Sequence, residues 1–550
     1  MIHRSRASMA LSALVALAVW LVPPSRAGTL RFFADDPITV DPENQDAAGV
    51  KPRDLSQEYD VIENSFKSPG DHSDARALNV NTVDEAPNSS WYTNRLGAAS
   101  VMSVEEIVNG PFRHPGPVEG TWTIVAGKSE GISPGMTARD ASGTLYFVKF
   151  DPPSNPEMAT GAEAVSTRFF HALGYHTAEN HIAYLRRESL VIQDGARVRD
   201  DYGRRRLMTP ADLDVLLGKA ARGADGGYRI IASRGLEGTD LGPFKYYGTR
   251  LDDPNDIFPH EHRRELRGLR IFCAWLNHDD SRSINTRDFL VEAQGRRLVR
   301  HYLLDFGSTL GSGSTQAQRP RAGNEYIWEG RPTLLTMLTF GFYVRPWIKV
   351  KYPELPSIGR FEATFFEPDK WKPEYPNTAF DNARPDDQFW AARRVMSLSD
   401  EAIRAVVKAA QYSDPEAESY LAQTLITRRD KIGQLWLNAV LPLVDCQLAR
   451  GGDLTCTNLA VEKRVAQPPD EYRIRWYRFD NQADSAQPIG QEATSREPRF
   501  NAPQELLTTS EFVMAEIRGK HSHHAGWAMP MKLYFQRTAD GWRSVGIDRM

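Results

Sequence analysis

The order of elements between residues 121 and 174 limits the folds open to this chain more than any other feature. Thr121 to Ala126 (TWTIVA) is rich in β-branched and aromatic residues and reads as a strand. Residues 127–135 (GKSEGISPG) carry Gly at every fourth position and read as a loop. Met136 to Asp140 reads as a second strand and Ala141-Ser142-Gly143 as a turn. Thr144 to Phe150 (TLYFVKF) reads as a third strand. Glu157 to Leu173 has helical spacing, with Ala162, Val165, Phe169 and Leu173 in step, and Gly174 is a fitting stop. Strands that feed directly into a helix point to an α+β body.

The rest of the chain extends that reading. Further strands are expected at 181–185, 188–193 and 228–233, with a helix near 209–219. Residues 260–277 (HEHRRELRGLRIFCAWLN) form an amphipathic helix, followed by two short strands, Phe289 to Glu292 and Leu298 to Leu304, around the turn 293–296. Three helices are expected over Asp387–Met396, Asp400–Gln411 and Pro415–Val440, the last preceded by a capping-box spacing, Ser413 and Glu416. Alternating runs at Tyr472–Phe479, Ser510–Arg518 and Lys532–Gln536 suggest a C-terminal β-domain. Residues 28–118 are rich in Asp, Asn, Pro and Ser and read as an extended segment. Its aromatic knot, Ser89 to Arg95 (SSWYTNR), is expected to dock on the main body.

Composition narrows the class. The chain has 550 residues, 41% hydrophobic and 25% charged, which excludes a mostly disordered, collagen-like or multi-span membrane protein. A net charge of −4 gives no support for a nucleic-acid binder. Three Cys exclude a disulfide-stapled scaffold. Cys446 and Cys456 bracket a Gly-Gly turn and could pair in an oxidising compartment, whereas Cys273 reads as a buried free thiol. The N-terminus supplies an address. His3, Arg4 and Arg6 precede the apolar run Ala10 to Val22, and Ser25 and Ala27 place small residues before a cut at Gly28. Residues 1–27 therefore read as a signal peptide, too short an apolar run for a span of about 20 residues. The mature protein is expected to be periplasmic or secreted, with no stable membrane span.

Four separated pieces could carry chemistry. Lys149 lies in the third strand and Glu163 on the following helix. Residues 278–285 (HDDSRSIN) follow the long helix, and Asp305-Phe306-Gly307 ends the strand after the hairpin. A nucleotide triphosphate brings several negative charges to one place. A lysine on a rigid strand can reach its phosphates, and a glutamate on a packed helix can hold that lysine. An Asn and an Asp can hold Mg²⁺ through oxygen ligands. A further Asp can accept the proton of an attacking hydroxyl. Phosphoryl transfer asks for little beyond such positioning and charge neutralisation.

These pieces resemble the protein-kinase-like superfamily over about residues 119–440. Asp280 stands five residues before Asn285, the spacing of the kinase catalytic loop, and Asp305-Phe306-Gly307 matches its D-F-G motif. His278 falls on the loop's His, while Asp279 replaces its usual Arg. The loop with Gly127, Gly131 and Gly135 is not G-x-G-x-x-G, and no A-P-E follows. The likeness is therefore to atypical branches such as HipA-type, phosphatidylinositol-type and secreted Golgi-type kinases.

The resemblance implies a two-lobed body: a β-rich N-lobe over 119–250 and a helical C-lobe over 251–445. The segment 28–118 precedes it and a β-domain over 446–550 follows. It implies ATP with Mg²⁺ or Mn²⁺ as cofactors, and a hydroxyl acceptor on a protein, glycan or lipid head group. Asp280 would be the base and Arg282 would neutralise the transferred group. Asn285 and Asp305 would be metal ligands. Lys149, Glu163, Lys128 and Gly131 would serve the nucleotide.

Simpler readings compete. Lys149 could be a solubilising edge-strand lysine. Glu157 rivals Glu163. Asp279 rivals Asp280, but stands six residues from Asn285. His278 suits a structural hydrogen bond. The alternative function is a catalytically silent pseudokinase-like binding or scaffold protein of the cell envelope, since bacterial extracytoplasmic spaces hold little ATP. His260-Glu261-His262 lacks the spacing of H-E-x-x-H. Asp252, Asp253, Asn255 and Asp256 read as a polar turn, and His521, His523 and His524 as a surface cluster.

Overall fold

The computed structural model describes residues 30–97, 100–128, 133–200, 203–293 and 295–549; the apolar leader 1–27 and Gly131 lie outside them. The chain is α+β, and the meander appears where the sequence placed it. Strands β1 (Trp122–Gly127), β2 (Gly135–Arg139) and β3 (Leu145–Phe150) are followed by helix α2 (Met158–Ala172), α1 being the earlier helix Gln57–Phe66. Four more strands join this sheet: β4 (Asn180–Leu185), β5 (Leu190–Arg199), β6 (Arg205–Leu207) and β7 (Tyr228–Arg234), with helix α3 (Pro210–Gly218) between β6 and β7. The sheet order is β4-β7-β3-β2-β1-β5-β6, and only the β1–β5 pair is parallel. β5 runs to Arg199, beyond the expected end at 193. Its outer half (QDGARVR) is polar because it lies near the sheet's edge, paired to β6.

Helix α4 (Arg264–Leu276) follows a short 3₁₀ turn over His260–His262 and leads to the hairpin β8 (Thr286–Ala293) and β9 (Arg296–Leu303). Both hairpin strands start earlier than expected, because eight cross-strand pairs from Thr286–Leu303 to Ala293–Arg296 hold them in register. Helix α5 (Gly330–Leu338) lies in the segment after the hairpin, and α6 (Pro385–Val395), α7 (Asp400–Lys408) and α8 (Pro415–Trp436) complete the helical layer. α8 packs on α4 through polar as well as apolar contacts. The Trp275 indole donates to the Leu425 carbonyl at 2.9 Å, and Arg428 donates to the carbonyl of Trp275 at 2.9 Å.

The N-terminal segment is bound into this body. Trp91 stacks on His301 of β9 with ring centroids 3.4 Å apart and planes 13° apart. The Tyr92 hydroxyl accepts from Arg394 Nε at 2.7 Å. Gly174, which stops α2, is required there twice over. Its φ is +114°, and a Cβ would stand 2.0 Å from the Tyr92 ring. The helix stop read from the sequence is thus also the seat of the aromatic knot. Deeper in, the fully buried Arg264 meets Asp84 at 3.0 Å, Asp386 at 2.8 Å and Asp387 at 2.6 Å. One guanidinium ties the segment, α4 and α6 together.

The C-terminal strands form a three-stranded sheet, β10 (Leu443–Leu448), β11 (Asp453–Asn458) and the strand Arg499–Asn501, and a five-stranded one. The larger sheet has β12 (Glu471–Asp480), β13 (Ser485–Ser495), β14 (Phe512–Lys520), β15 (Met531–Thr538) and β16 (Gly541–Asp548), in the order β13-β12-β14-β15-β16. This unit shares the main core of the body, beside a smaller cluster of its own in which Phe479, Phe512, Met514, Tyr534 and Val545 pack with Phe32. One apolar cluster runs from α2 and α4 through Leu437, Val440 and Leu443 to Trp527 and Phe535. Near the C-terminus, Arg549 donates to the Leu441 carbonyl at 3.0 Å and lies 3.3 Å from Asp84. Cys446 and Cys456 form a disulfide between β10 and β11, and Cys273 is buried and free. Among the described residues no helix is long and apolar enough to cross a membrane.

Candidate active site

β3 alternates. Tyr146, Val148 and Phe150 are buried in the sheet's core, which puts Lys149 on the opposite face, toward α2. Its ammonium lies 3.0 Å from Glu163 Oε2 and 2.8 Å from Asp305 Oδ1. Lys149 is therefore not a solubilising edge lysine, since β3 is flanked by β7 and β2. Glu163 is buried in the second turn of α2. Its other oxygen, Oε1, accepts from Asn180 Nδ2 and from the Phe306 backbone N–H, both at 3.0 Å. One carboxylate thus ties the sheet lysine, the start of β4 and the loop after β9. Glu157 does other work: its Oε2 accepts from the Ser413 N–H at 2.8 Å.

Asp305 turns the chain with φ +61° and ψ +58°, a left-handed conformation that Asp tolerates better than most residues. Phe306 fixes that turn. It is buried and stacks on Phe170 of α2 at 4.6 Å. At Gly307 a Cβ would lie 3.2 Å from Glu163 Oε2, so only glycine passes the site without crowding it.

The second loop leaves α4 through Asn277, also left-handed at φ +51°. His278 is buried against Phe306, 5.8 Å between centroids, and bonds to the Ser308 backbone. Burial holds its imidazole down to about 4, so it is neutral and structural at pH 7, as its position in the loop suggested. Asp279 is buried and accepts from Gln318 Nε2 at 2.9 Å. Burial, with Asp280 and Glu374 nearby, pushes it up to about 8. Asp280 is pushed up to about 6 by burial, against the pull of Arg282, with Glu374 and Asp305 adding repulsion. Arg282 pairs with Asp280 and lies 3.4 Å from Glu374 Oε2. Expected to meet a transferred group, it is engaged within its own loop. Asn285 donates Nδ2 to the Asp280 carbonyl at 2.7 Å.

The charges of the two loops and the sheet act on one another. Burial pushes Asp305 up, but Lys149 and then Lys128 draw it below the ordinary carboxylate range. Its side chain is 43% exposed, so solvent blunts the burial and the cations prevail. Lys149 is raised because Asp305 and Glu163 together outweigh its burial. Lys128, just beyond β1, is lowered by burial and by Lys149 beside it. Lys128, Lys149, Glu163, Asp280, Arg282, Asn285 and Asp305 thus form one electrostatic neighbourhood, while Gly131 lies outside the described residues.

Hard cations take oxygen ligands and, for Mg²⁺, few protein groups. Asp305 commits Oδ1 to Lys149, and its Oδ2 has no hydrogen-bond partner among the described residues. Asn285 commits its amide N–H, and its Oδ1 accepts from no donor among them. Those two oxygens suit such an ion, although no cluster of three or more His, Cys, Asp or Glu is placed to hold a metal among the described residues.

Three contributors carry no sequence signal of their own: Asn180, Gln318 and Glu374. Each acts through a hydrogen bond or charge contact to a residue far away in the chain. The other motifs are structural. His260 pairs with Asp256 at 2.7 Å and His262 with Asp71 at 2.9 Å, both imidazoles buried. Asp252 binds Arg53 and the Lys51 N–H, and His524 stacks on Trp527 at 5.4 Å. No family model matches this sequence, and no curated protein or solved structure is significantly similar to it.

Proposed function

We propose that this chain is an exported, atypical kinase-like phosphotransferase with a two-lobed body, moving the γ-phosphoryl group of ATP to a hydroxyl acceptor. One observation carries the reading: a single ammonium, Lys149 Nζ, is shared by the helix carboxylate Glu163 and by Asp305 at 3.0 and 2.8 Å. Bound Mg-ATP, or Mn-ATP, supplies the phosphoryl group and a metal that neutralises its charge. Lys149 and Lys128 bind phosphate oxygens, and Glu163 orients Lys149. Asp305 and Asn285 offer oxygens to the metal. Asp280 takes the proton from the acceptor hydroxyl, and Arg282 holds Asp280 in place until a phosphoryl group competes for it.

A silent, pseudokinase-like binding protein is the second reading. It is favoured by the ion pair of Asp280 with Arg282, which engages the base within its own loop. Thermal shift separates both from the absence of any nucleotide site. Wild type at Mg-ATP near one hundred times Kd gains about 2.7 kcal/mol, and Asp305→Ala gains none. No shift in wild type sinks the ATP reading. A shift without transfer of labelled phosphate to any acceptor leaves only the silent one.

A further inference from the structure

The segment between Glu329 and Glu354 is built inside out. It contains no acidic residue, four basic ones (Arg331, Arg345, Lys349, Lys351), and half of its residues are apolar or aromatic. Helix α5 within it has no buried residue. Met337, Leu338, Phe340 and Phe342 are 69%, 67%, 93% and 87% exposed. Meanwhile polar groups are turned to the body. Glu325, 7% exposed, accepts from Arg345 Nε at 2.9 Å and from the Trp347 indole at 2.8 Å. Lys372 pairs with Glu329, and the Ile327 N–H donates to the Glu374 carbonyl at 2.8 Å. The segment is thus a protrusion fixed at its base. The apolar surface continues onto α1, where Phe66, 66% exposed, meets the ring of Trp328 at 6.2 Å.

Scattered exposed apolar residues are ordinary, but a contiguous patch of large ones is not. What covers this one follows from its charge. Arg331, Lys349 and Lys351 are exposed and pair with no carboxylate among the described residues. The chain as a whole is acidic, yet between Glu329 and Glu354 the only charged side chains are basic. A surface in which aromatic and aliphatic side chains stand among unpaired bases is complementary to the headgroup and acyl boundary of an anionic bilayer. We infer that the protrusion around α5, with Phe340 and Phe342 at its tip, docks this protein on an anionic lipid surface without spanning it. The inference does not depend on the phosphotransferase reading.

The test is flotation of the full mature chain with phosphatidylcholine vesicles carrying roughly a third phosphatidylglycerol, beside pure phosphatidylcholine vesicles. Wild type should float with the anionic vesicles and much less with the neutral ones. Phe340→Ser/Phe342→Ser should lower the partition coefficient by about tenfold or more. Lys349→Gln/Lys351→Gln should reduce binding to anionic vesicles by about tenfold and leave the neutral ones unchanged. A thermal melt checks that the variants fold. Independently, an environment-sensitive fluorophore on Phe342→Cys should brighten and shift blue only with anionic vesicles, since Cys273, the other thiol, is buried. The proposal is overturned if wild type does not float or if the Phe variant floats equally. It is also overturned if the labelled tip responds to protein concentration instead of lipid, which would assign the patch to a second copy of this chain.

Discussion

Replacing Lys149 with Met removes one cation from between two carboxylates, and the structure sets the size of the effect. Side-chain exposure is 19% for Lys149, 2% for Glu163 and 43% for Asp305. Breaking a buried ion pair by deleting one partner costs about 3–5 kcal/mol, because the other charge stays buried alone. The Glu163 arm belongs to that class. The Asp305 arm is open to solvent and adds at most about 1 kcal/mol. Since Lys149 is not wholly buried, the lower end applies, about 3 kcal/mol. For a cooperative unit of this size, about 1–2 °C per kcal/mol gives a fall in Tm of about 3–6 °C.

The pH dependence has a definite sign. In wild type the depressed Asp305 contributes stability that is present above the unfolded carboxyl value near 4 and is lost as pH falls through its lower folded value. Removing Lys149 removes that contribution, so the gap between wild type and Lys149→Met should hold from pH 7.5 down to about 4 and narrow as pH falls below that. Lys149→Met/Glu163→Gln should recover part of the loss, because the most buried negative charge has gone too. Differential scanning across pH reads all three. A Tm loss under about 1 °C at pH 7.5, or a gap that does not close on acidification, would refute the reasoning.

Two more outcomes follow from the carboxyls of the loop after α4. If Asp280 is the base, transfer must slow as it protonates, so kcat/KM should fall about tenfold per pH unit below about 6; a flat profile to pH 5 removes Asp280 from that role. Asp279, held up to about 8, binds its proton more tightly folded than unfolded, so it costs wild-type stability progressively as pH rises from about 4 to 8. Asp279→Asn keeps the acceptor for Gln318 and should gain Tm over that same window, with a gain that grows toward pH 8; a constant difference would show that Asp279 does not titrate there.

The meander was legible because each strand is half-buried, with turn chemistry between strands, so period and punctuation agree. β13 (SAQPIGQEATS) was not legible. It is largely exposed along its length and has no alternation, and it is a strand because β12 offers it an edge. The charged trio could be read because Lys149, Glu163 and Asp305 fall on a strand, a helix and a tight turn whose order restricts where their tips can meet. Asn180, Gln318 and Glu374 follow no period, since a hydrogen bond across 39 residues, as from Gln318 to Asp279, leaves no mark on local spacing. The continuity of the main core into the C-terminal strands was hidden for the same reason. Leu437, Val440 and Leu443 look like a helix end followed by a strand, and only their shared burial with Trp527 reveals a continuous core.

A structural explanation of the trio alone leaves something over. Glu163 could be kept for its bonds to Asn180 and Phe306, which fix a sheet and a loop on α2. That role needs a buried acceptor and would tolerate a neutral one. It does not need an ammonium, whose desolvation a well-packed apolar side chain would avoid. Nor does it need Asp305 in a left-handed turn with 43% of its side chain open to solvent, or a glycine two residues later where any Cβ crowds Glu163. Strain, an open carboxylate and a largely desolvated cation are each unfavourable for stability, and here they meet at one point. Their common product is a fixed array of one ammonium and several carboxyl oxygens, open to solvent at Asp305. That array suits a ligand bearing both phosphate and metal, which is why the nucleotide experiment takes precedence over any further substitution in the core.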